Sequence, residues 1–307
     1  MTRQVAVAVV VPTHRRPELL ACTLEALGRL DPSPAEVVVA ADRCGDGTEQ
    51  LARARGATVV IPEHQGAAAA RNAGWQAASA EIVAFTDDDC EPEPAWLGHL
   101  AGAFSEERIG LVQGRTLPAH PPGPNDRTIE VTSEYGLYES CNIAYRRCLL
   151  EELRGFDEGF AAAIGAPHFG EDTDLAWRAR AAGWGTAFAA DAVVRHAVFP
   201  SGPFAALARE WRKGRLCYLV REVPALRSNL PSGRLCLRRQ SPWAQLALAG
   251  TLVAARRPVA GACLWAPYAM WLARNRPLGD LARSVARDMV GSVALLVGSV
   301  RYRSLLL

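Results

Sequence analysis

Over the first 120 residues, short β-branched runs alternate with alanine- and leucine-rich stretches at helical spacing, and four of the strand-like runs close on a polar segment. The strand candidates are residues 5–11, 36–41, 58–61, 81–86 and 109–116. Between them Leu19, Leu20, Thr23, Leu24 and Leu27 recur at helical spacing, and residues 48–55, 67–78 and 95–105 read likewise. This alternation predicts an α/β fold with a mostly parallel sheet flanked by helices. In such a sheet ligands bind at the carboxyl ends of the strands. The segments Pro12-Thr13-His14-Arg15-Arg16, Asp42 to Thr48, Glu63 to Gly66 and Asp87-Asp88-Asp89 are therefore expected to converge on one pocket. A proline-rich stretch over 117–135 reads as a turn-rich break or a loop over that pocket, and a further helix is expected over 173–182.

The acidic triplet is the most chemical of these segments. Three carboxylates crowded at a strand end repel one another, and a hard divalent cation with oxygen ligands is the usual compensation. A Mg²⁺ or Mn²⁺ site is the sharper reading; a solvated acidic turn is the plainer one. Eight cysteines show no C-x-x-C pair and no zinc-like cluster, and the apolar run at 5–11 is too short for a signal peptide. Reduced thiols and a cytoplasmic location are expected, with no nucleic-acid partner.

Several patches together resemble the family 2 glycosyltransferases. In order they are Val9-Val10-Val11-Pro12-Thr13, the Asp42 to Thr48 segment, Ala70-Arg71-Asn72-Ala73-Gly74, the D-x-D at Asp87 and Asp89, Asn142 to Arg147, Gly155-Phe156-Asp157-Glu158, and Glu171-Asp172-Thr173-Asp174-Leu175. Each is weak alone; seven in the right order over residues 5 to about 200 are specific. The resemblance implies a GT-A type nucleotide-binding sheet, a nucleotide-diphosphate sugar donor, a hydroxyl acceptor that is lipid-linked, cell-wall or small-molecule, and inversion at the anomeric carbon.

Carried onto this chain, the resemblance places Pro12, Thr13, Arg15, Asp42, Arg71, Asp87 and Asp88 on the donor. Asp42 would accept a hydrogen bond from an imide N–H such as that of uracil, or else cap the turn before Gly45 and Gly47. Arg71 would meet base or phosphate, or else lie on the surface of an alanine-rich helix. Asp87 would touch the ribose and the metal, and Asp89 the metal. His196, 24 residues after Asp172, would reach the metal or the diphosphate, or serve as a structural histidine. Asp172 is the expected base and Glu171 its support. Asn142, Asp174 and Trp211 are placed on the acceptor side, Asp174 doubling as a helix cap. Cys141 before Asn142 and Arg154 before Gly155 depart from the family pattern, and the absence of Q-x-x-R-W implies a non-processive enzyme.

Charge divides the chain near residue 200. The first 199 residues carry 17 Arg against 28 Asp and Glu, the remaining 108 carry 17 Arg and Lys against 4. The expected domains are 1–200, the glycosyltransferase domain, and 201–307, a helical, basic and apolar extension. Its apolar stretches, residues 243–255, 259–273 and 289–300, fall short of the ~20 residues that span a bilayer. Flanked by arginines and tryptophans, they suit an interfacial element on an anionic membrane surface, at the inner face of the cell membrane, or a packing surface for a homodimer. The competing function is a catalytically silent sugar-nucleotide-binding or membrane-scaffold protein; a sugar-1-phosphate nucleotidyltransferase would need an N-terminal lysine, and the chain's one lysine is Lys213.

Overall fold

The computed structural model describes residues 6–160, 162–166, 169–230, 235–238 and 240–307. They form two compact units, one of residues up to Pro122 with Thr128–Phe199, the other of Gly123–Arg127 with Pro200–Leu307.

The first unit is built on an eight-stranded mixed sheet. Its strands are β1 (Val7–Thr13), β2 (Glu36–Ala41), β3 (Thr58–Val60), β4 (Ile82–Thr86), β5 (Cys90–Pro92), β6 (Ile109–Pro118), β7 (Asn142–Arg146) and β8 (Gly185–His196), in the order β3-β2-β1-β4-β7-β6-β8-β5. Parallel pairing joins β3, β2, β1 and β4, and also β6 with β8. β7 runs antiparallel between β4 and β6, and β5 antiparallel to β8. Among the described residues six α-helices accompany this sheet: α1 (Pro17–Leu27), α2 (Thr48–Ala54), α3 (Ala67–Ala77), α4 (Trp96–Gly102), α5 (Arg147–Leu153) and α6 (Glu171–Ala181). The expected first strand shifts two residues toward Thr13, and Val5 lies outside the described residues.

Val7 to Val11 are at most 5% exposed because β1 lies mid-sheet with helices on both faces, which is why it reads as an uninterrupted apolar run. Leu20, Leu24 and Leu27 of α1 share its core with Val9, Val11, Val39, Ile82, Trp96, Leu97 and Leu100. On α3 a Cβ at Gly74 would collide with Val10 Cγ1, so only glycine lets that helix lie this close to β1. Two of the family patches meet here for structural reasons. Asn72 donates from Nδ2 to Phe156 O at 2.9 Å and accepts at Oδ1 from Phe156 N and Trp75 Nε1, clamping the Gly155-Phe156 turn onto α3.

The break over 117–135 is tied at both ends. Thr116 and Val131 exchange backbone hydrogen bonds of 2.9 and 2.8 Å, and Ala119 N donates to His196 O. Its middle, Gly123–Arg127, belongs to the second unit. There Arg209 donates to the carbonyls of Asn125 and Asp126, and Arg287 to the carbonyl of Pro124 and to Asn125 Oδ1.

The second unit is helical as its sequence predicts: α7 (Pro203–Arg212), α8 (Leu216–Glu222), α9 (Ser241–Ala254), α10 (Pro258–Asn275) and α11 (Leu281–Tyr302), with short 3₁₀ turns between. α9 and α10 form a hairpin whose backbones nearly touch, a Cβ at Gly250 falling 2.8 Å from Gly261 O. Tyr268 seals it, stacking against Trp271 and donating its hydroxyl to Asp288 at 2.8 Å. Among the described residues no helix is long and apolar enough to cross a membrane.

Candidate active site

The carboxyl ends of β1, β2 and β4 and the N-termini of α3 and α6 carry the polar side chains that the sequence singles out. Immediately after β4 come Asp87, Asp88 and Asp89, and each carboxylate has a different neighbour. Asp87 Oδ1 receives Arg71 Nη2 at 3.3 Å. Asp88 accepts from Thr13 Oγ1 at 2.7 Å and from Arg16 Nη1 at 3.2 Å. Asp89 also accepts from Arg16 Nη1, at 3.2 Å, and its other oxygen faces His196 Nε2 at 3.5 Å. Burial pushes Asp88 up to about 6, with Thr13 and Arg16 pulling it back.

The meeting of Asp89 with His196 follows from strand register. β5 pairs antiparallel with β8 so that Cys90 stands opposite His196, and Ala197 N donates to Asp89 O at 2.8 Å. One ligand atom each of Asp89, Cys90 and His196 lies within 4.8 Å of the others, and all three residues are buried. His196 Nδ1 lies 2.7 Å from Ala197 O. A carbonyl only accepts, so Nδ1 carries the hydrogen, and in the neutral ring Nε2 presents its lone pair toward Asp89. Two lone-pair atoms facing each other at 3.5 Å form a pair of donors suited to a cation between them, and an oxygen with an imidazole nitrogen suits Mn²⁺ or Mg²⁺. Asp87, expected on the metal, turns instead to Arg71, and the described cluster is completed by Cys90.

Asp42, at the end of β2, accepts from Gly66 N at 2.9 Å with one oxygen; the other is buried and has no hydrogen-bond partner among the described residues. The turn before Gly47 is capped by Asp46, which accepts from Thr48 N at 3.1 Å, so the capping alternative for Asp42 falls away. Arg71 is no surface arginine. It is buried on α3, its two terminal nitrogens divided between Asp87 and Glu171 Oε1, the latter at 3.1 Å.

α6 begins with Glu171 and Asp172, where its dipole and free N–H groups favour negative charge. Asp172 accepts from Thr173 N at 2.8 Å and from Ser140 N at 3.3 Å. Burial pushes it up to about 8, the charges of Glu171 and Glu139 push the same way, and Arg71 opposes them. A carboxylate near neutrality, half-buried and anchored by two backbone amides, is equipped to take a proton from a hydroxyl.

Four further residues that the sequence places at the site are found as follows. Arg15 adopts a left-handed backbone (φ 54°) and its N–H meets Cys44 Sγ; the guanidinium that reaches the carboxylates is that of Arg16. Asn142 is 1% exposed with its amide fully engaged, donating to Arg115 O and Ala192 O and accepting from Trp96 Nε1. It pins the sheet and has no group left for an acceptor. Asp174 is no cap, since it pairs with Arg178 Nε at 2.7 Å one turn along α6. Trp211 lies on α7 of the second unit, 51% exposed. Pro12 and Thr13 end β1 beside the triplet, as expected. Of the histidines without pattern support, His168 lies outside the described residues.

Sequence reasoning missed Arg16 and Glu139. Arg16 stands beside a second arginine, and only the left-handed turn at Arg15 decides which one points at the site. Glu139 accepts from Gln113 Nε2 at 3.1 Å and from the Tyr135 hydroxyl, and burial raises its proton affinity. Its position beside Asp172 comes from the docking of residues 136–140 on α6, where Trp177 Nε1 donates to Gly136 O and Thr173 Oγ1 to Leu137 O. No local pattern signals that contact.

Comparison with known proteins agrees with this architecture. The profile of Glycosyl transferase family 2 matches residues 8–162, and that of Glycosyltransferase like family 2 matches residues 141–215. Glycosyltransferase AglE of Haloferax volcanii is 27% identical over 229 residues, 68% of this chain and 72% of that protein. A pre-mycofactocin glycosyltransferase of Mycobacterium tuberculosis is 30% identical over 151 residues, 44% of this chain but only 31% of the relative's length. Among solved structures, mannosyltransferase PcManGT from Pyrobaculum calidifontis superposes with a TM-score of 0.65 at 21% identity, covering 98% of this chain and 88% of that one. Glucosyl-3-phosphoglycerate synthase from Mycobacterium tuberculosis superposes at 0.52 and 20% identity, covering 75% and 80%. At these identities the superpositions speak for the GT-A fold alone. With a family profile running through half of the sequence and ending beyond the D-x-D and its strand, the chain belongs to glycosyl transferase family 2 and is a glycosyltransferase.

Proposed function

We propose that the protein transfers a single sugar, with inversion, from a UDP-linked donor to an acceptor hydroxyl in a metal-dependent, non-processive reaction. The observation that carries this reading is the opposition of Asp89 and His196 Nε2, 3.5 Å apart, in the acidic segment that follows β4. The fold neighbours PcManGT and glucosyl-3-phosphoglycerate synthase were solved with Mn²⁺ and with GDP-Man and UDP respectively, which supports it. Asp89 and His196 would hold Mn²⁺ or Mg²⁺, which when bound supplies positive charge against the departing nucleotide diphosphate. Asp42 offers its unpartnered oxygen to the N–H of the base, and Thr13 and Pro12 border the same end of the sheet. Asp172 accepts the acceptor hydroxyl proton at Oδ, while Arg71 fixes Glu171 and Asp87 so that the base and the donor side keep their spacing.

Donor binding is the test. Thermal shift across UDP-, GDP- and dTDP-sugars should show stabilisation that requires Mn²⁺ and disappears in Asp89→Asn. Undiminished donor binding in excess chelator would remove the metal from this account.

The second unit carries the membrane part of the proposal. At the α9–α10 turn Leu252 and Val259 are 75% and 77% exposed on either side of Arg256 and Arg257. A turn of two arginines flanked by exposed apolar side chains is suited to the interface of an anionic bilayer, where each basic residue contributes about 1 kcal/mol. This reading places the enzyme peripherally at the inner face of the cell membrane. Vesicles rich in phosphatidylglycerol should sediment the protein in a salt-sensitive way, and Leu252→Glu with Val259→Glu should reduce that several-fold. Equal, negligible sedimentation with anionic and neutral vesicles would leave the hairpin as a packing or homodimer surface.

A further inference from the structure

Arg16 holds a place that the family patches do not mark. It is the last residue before α1, kept out of helical geometry by Pro17 (φ −138°, ψ 57°), and it follows the left-handed turn at Arg15. These two constraints turn its side chain back over the end of β4. There one nitrogen, Nη1, meets Asp88 Oδ1 and Asp89 Oδ2, each at 3.2 Å. Both carboxylates are 6% exposed at the side chain, whereas the Arg16 side chain is 45% exposed.

The division of charge is informative. Arg71 compensates Asp87 and Glu171, so Arg16 is the cation assigned to Asp88 and Asp89. Thr13 Oγ1 and Thr23 Oγ1 fix Asp88 through its carboxylate and its carbonyl, at 2.7 and 2.9 Å, while Asp89 meets Arg16 on one oxygen and faces His196 Nε2 and Cys90 Sγ with the other.

We infer that Arg16 is a resident counter-cation that competes with the divalent ion for Asp89 and thereby keeps the metal affinity of the donor-free enzyme low. A doubly charged ion on Asp89 would stand within a few ångströms of the guanidinium, and like charges at that distance repel strongly. Arg16 is exposed enough to yield Asp89 while Asp88 and its hydroxyl partners stay in place. The consequence is that metal and anionic donor assist one another: a diphosphate supplies the negative charge that both cations need, so each ligand raises the affinity for the other. The inference rests on the proposal that Asp89 binds a divalent cation.

Titration of Mn²⁺ alone, followed by the electron paramagnetic resonance signal of the free ion at low ionic strength, tests it without any turnover. Arg16→Ala should bind Mn²⁺ about fivefold more tightly than the wild type, the scale of a partly exposed ion pair. Arg16→Gln should follow Ala, and Arg16→Lys, which keeps the charge, should stay nearer the wild type. Asp89→Asn is the blank, and thermal melts confirm that each variant is folded. Asp89-dependent Mn²⁺ binding that is unchanged or weaker in Arg16→Ala would overturn the role of Arg16 and leave the metal site standing. Absence of Asp89-dependent binding in both wild type and Arg16→Ala would overturn the two together.

Discussion

Asp172→Asn is expected to lower kcat by about 10² or more while donor affinity stays near that of the wild type. The substitution keeps the side chain's shape and removes the group that accepts the proton. Asp172 sits among Glu171, Glu139 and Arg71 and accepts from Thr173 N and Ser140 N on separate oxygens, so asparagine keeps one of these two hydrogen bonds. The sign of the pH dependence follows. With Asp172 held at about 8, the ionised base is a minor species at pH 7 and dominates above pH 8. The wild-type kcat/KM should therefore rise about tenfold per pH unit below that point and level off above it, and the limb should vanish in the residual activity of the variant. Stability moves the other way. A carboxyl whose proton affinity is raised by folding destabilises the fold as pH climbs from its ordinary value toward 8, so Asp172→Asn should melt no lower than the wild type, and higher at alkaline pH. Loss of activity with a lower melting temperature at every pH would indicate damage to the fold and not removal of a base.

The second large effect is one of stability. Arg71→Met should cost about 3–5 kcal/mol, the range observed when one partner of a buried ion pair is removed and the other charge is left uncompensated. Glu171 is 7% exposed and meets the Arg71 guanidinium at 3.1 Å, with Asp87 on its other nitrogen, so the variant leaves two carboxylates facing a methionine. Urea denaturation at pH 7 should show the loss. Equal midpoints for the two proteins at pH 7 would mean that the triad contributes nothing to folding and that Arg71 serves the ligand alone.

Much of the first unit was legible because its determinants are local. Residues 36–41 form a strand with those bounds, since a β-branched run between a proline-containing turn and Asp42 leaves the backbone little choice. The acidic triplet, Asp42 and the Glu171-Asp172 pair could be placed at strand and helix ends from the same patterns. What stayed hidden depends on contacts distant in sequence. β5 is three residues, Cys90–Pro92, with a glutamate and a proline, and it exists as a strand only because β8 lies beside it. That pairing, 106 positions apart at Cys90 and its partner His196, is what delivers the histidine to Asp89. Asn142 misled for a related reason. A polar residue in a family patch suggests ligand contact, yet its amide is spent on carbonyls of β6 and β8 and the indole of Trp96. Arg15 and Arg16 are chemically the same, and a single positive φ chooses between them.

The central claim is inverting transfer driven by the carboxylate at the start of α6. Proton NMR of the first product formed from an α-linked UDP-sugar with Mn²⁺, using water as the acceptor if no better hydroxyl is at hand, reads it directly. The account predicts that the β-anomer appears first, before mutarotation, and that Asp172→Asn suppresses it; an α-anomer as the first product, or undiminished turnover in that variant, would contradict it.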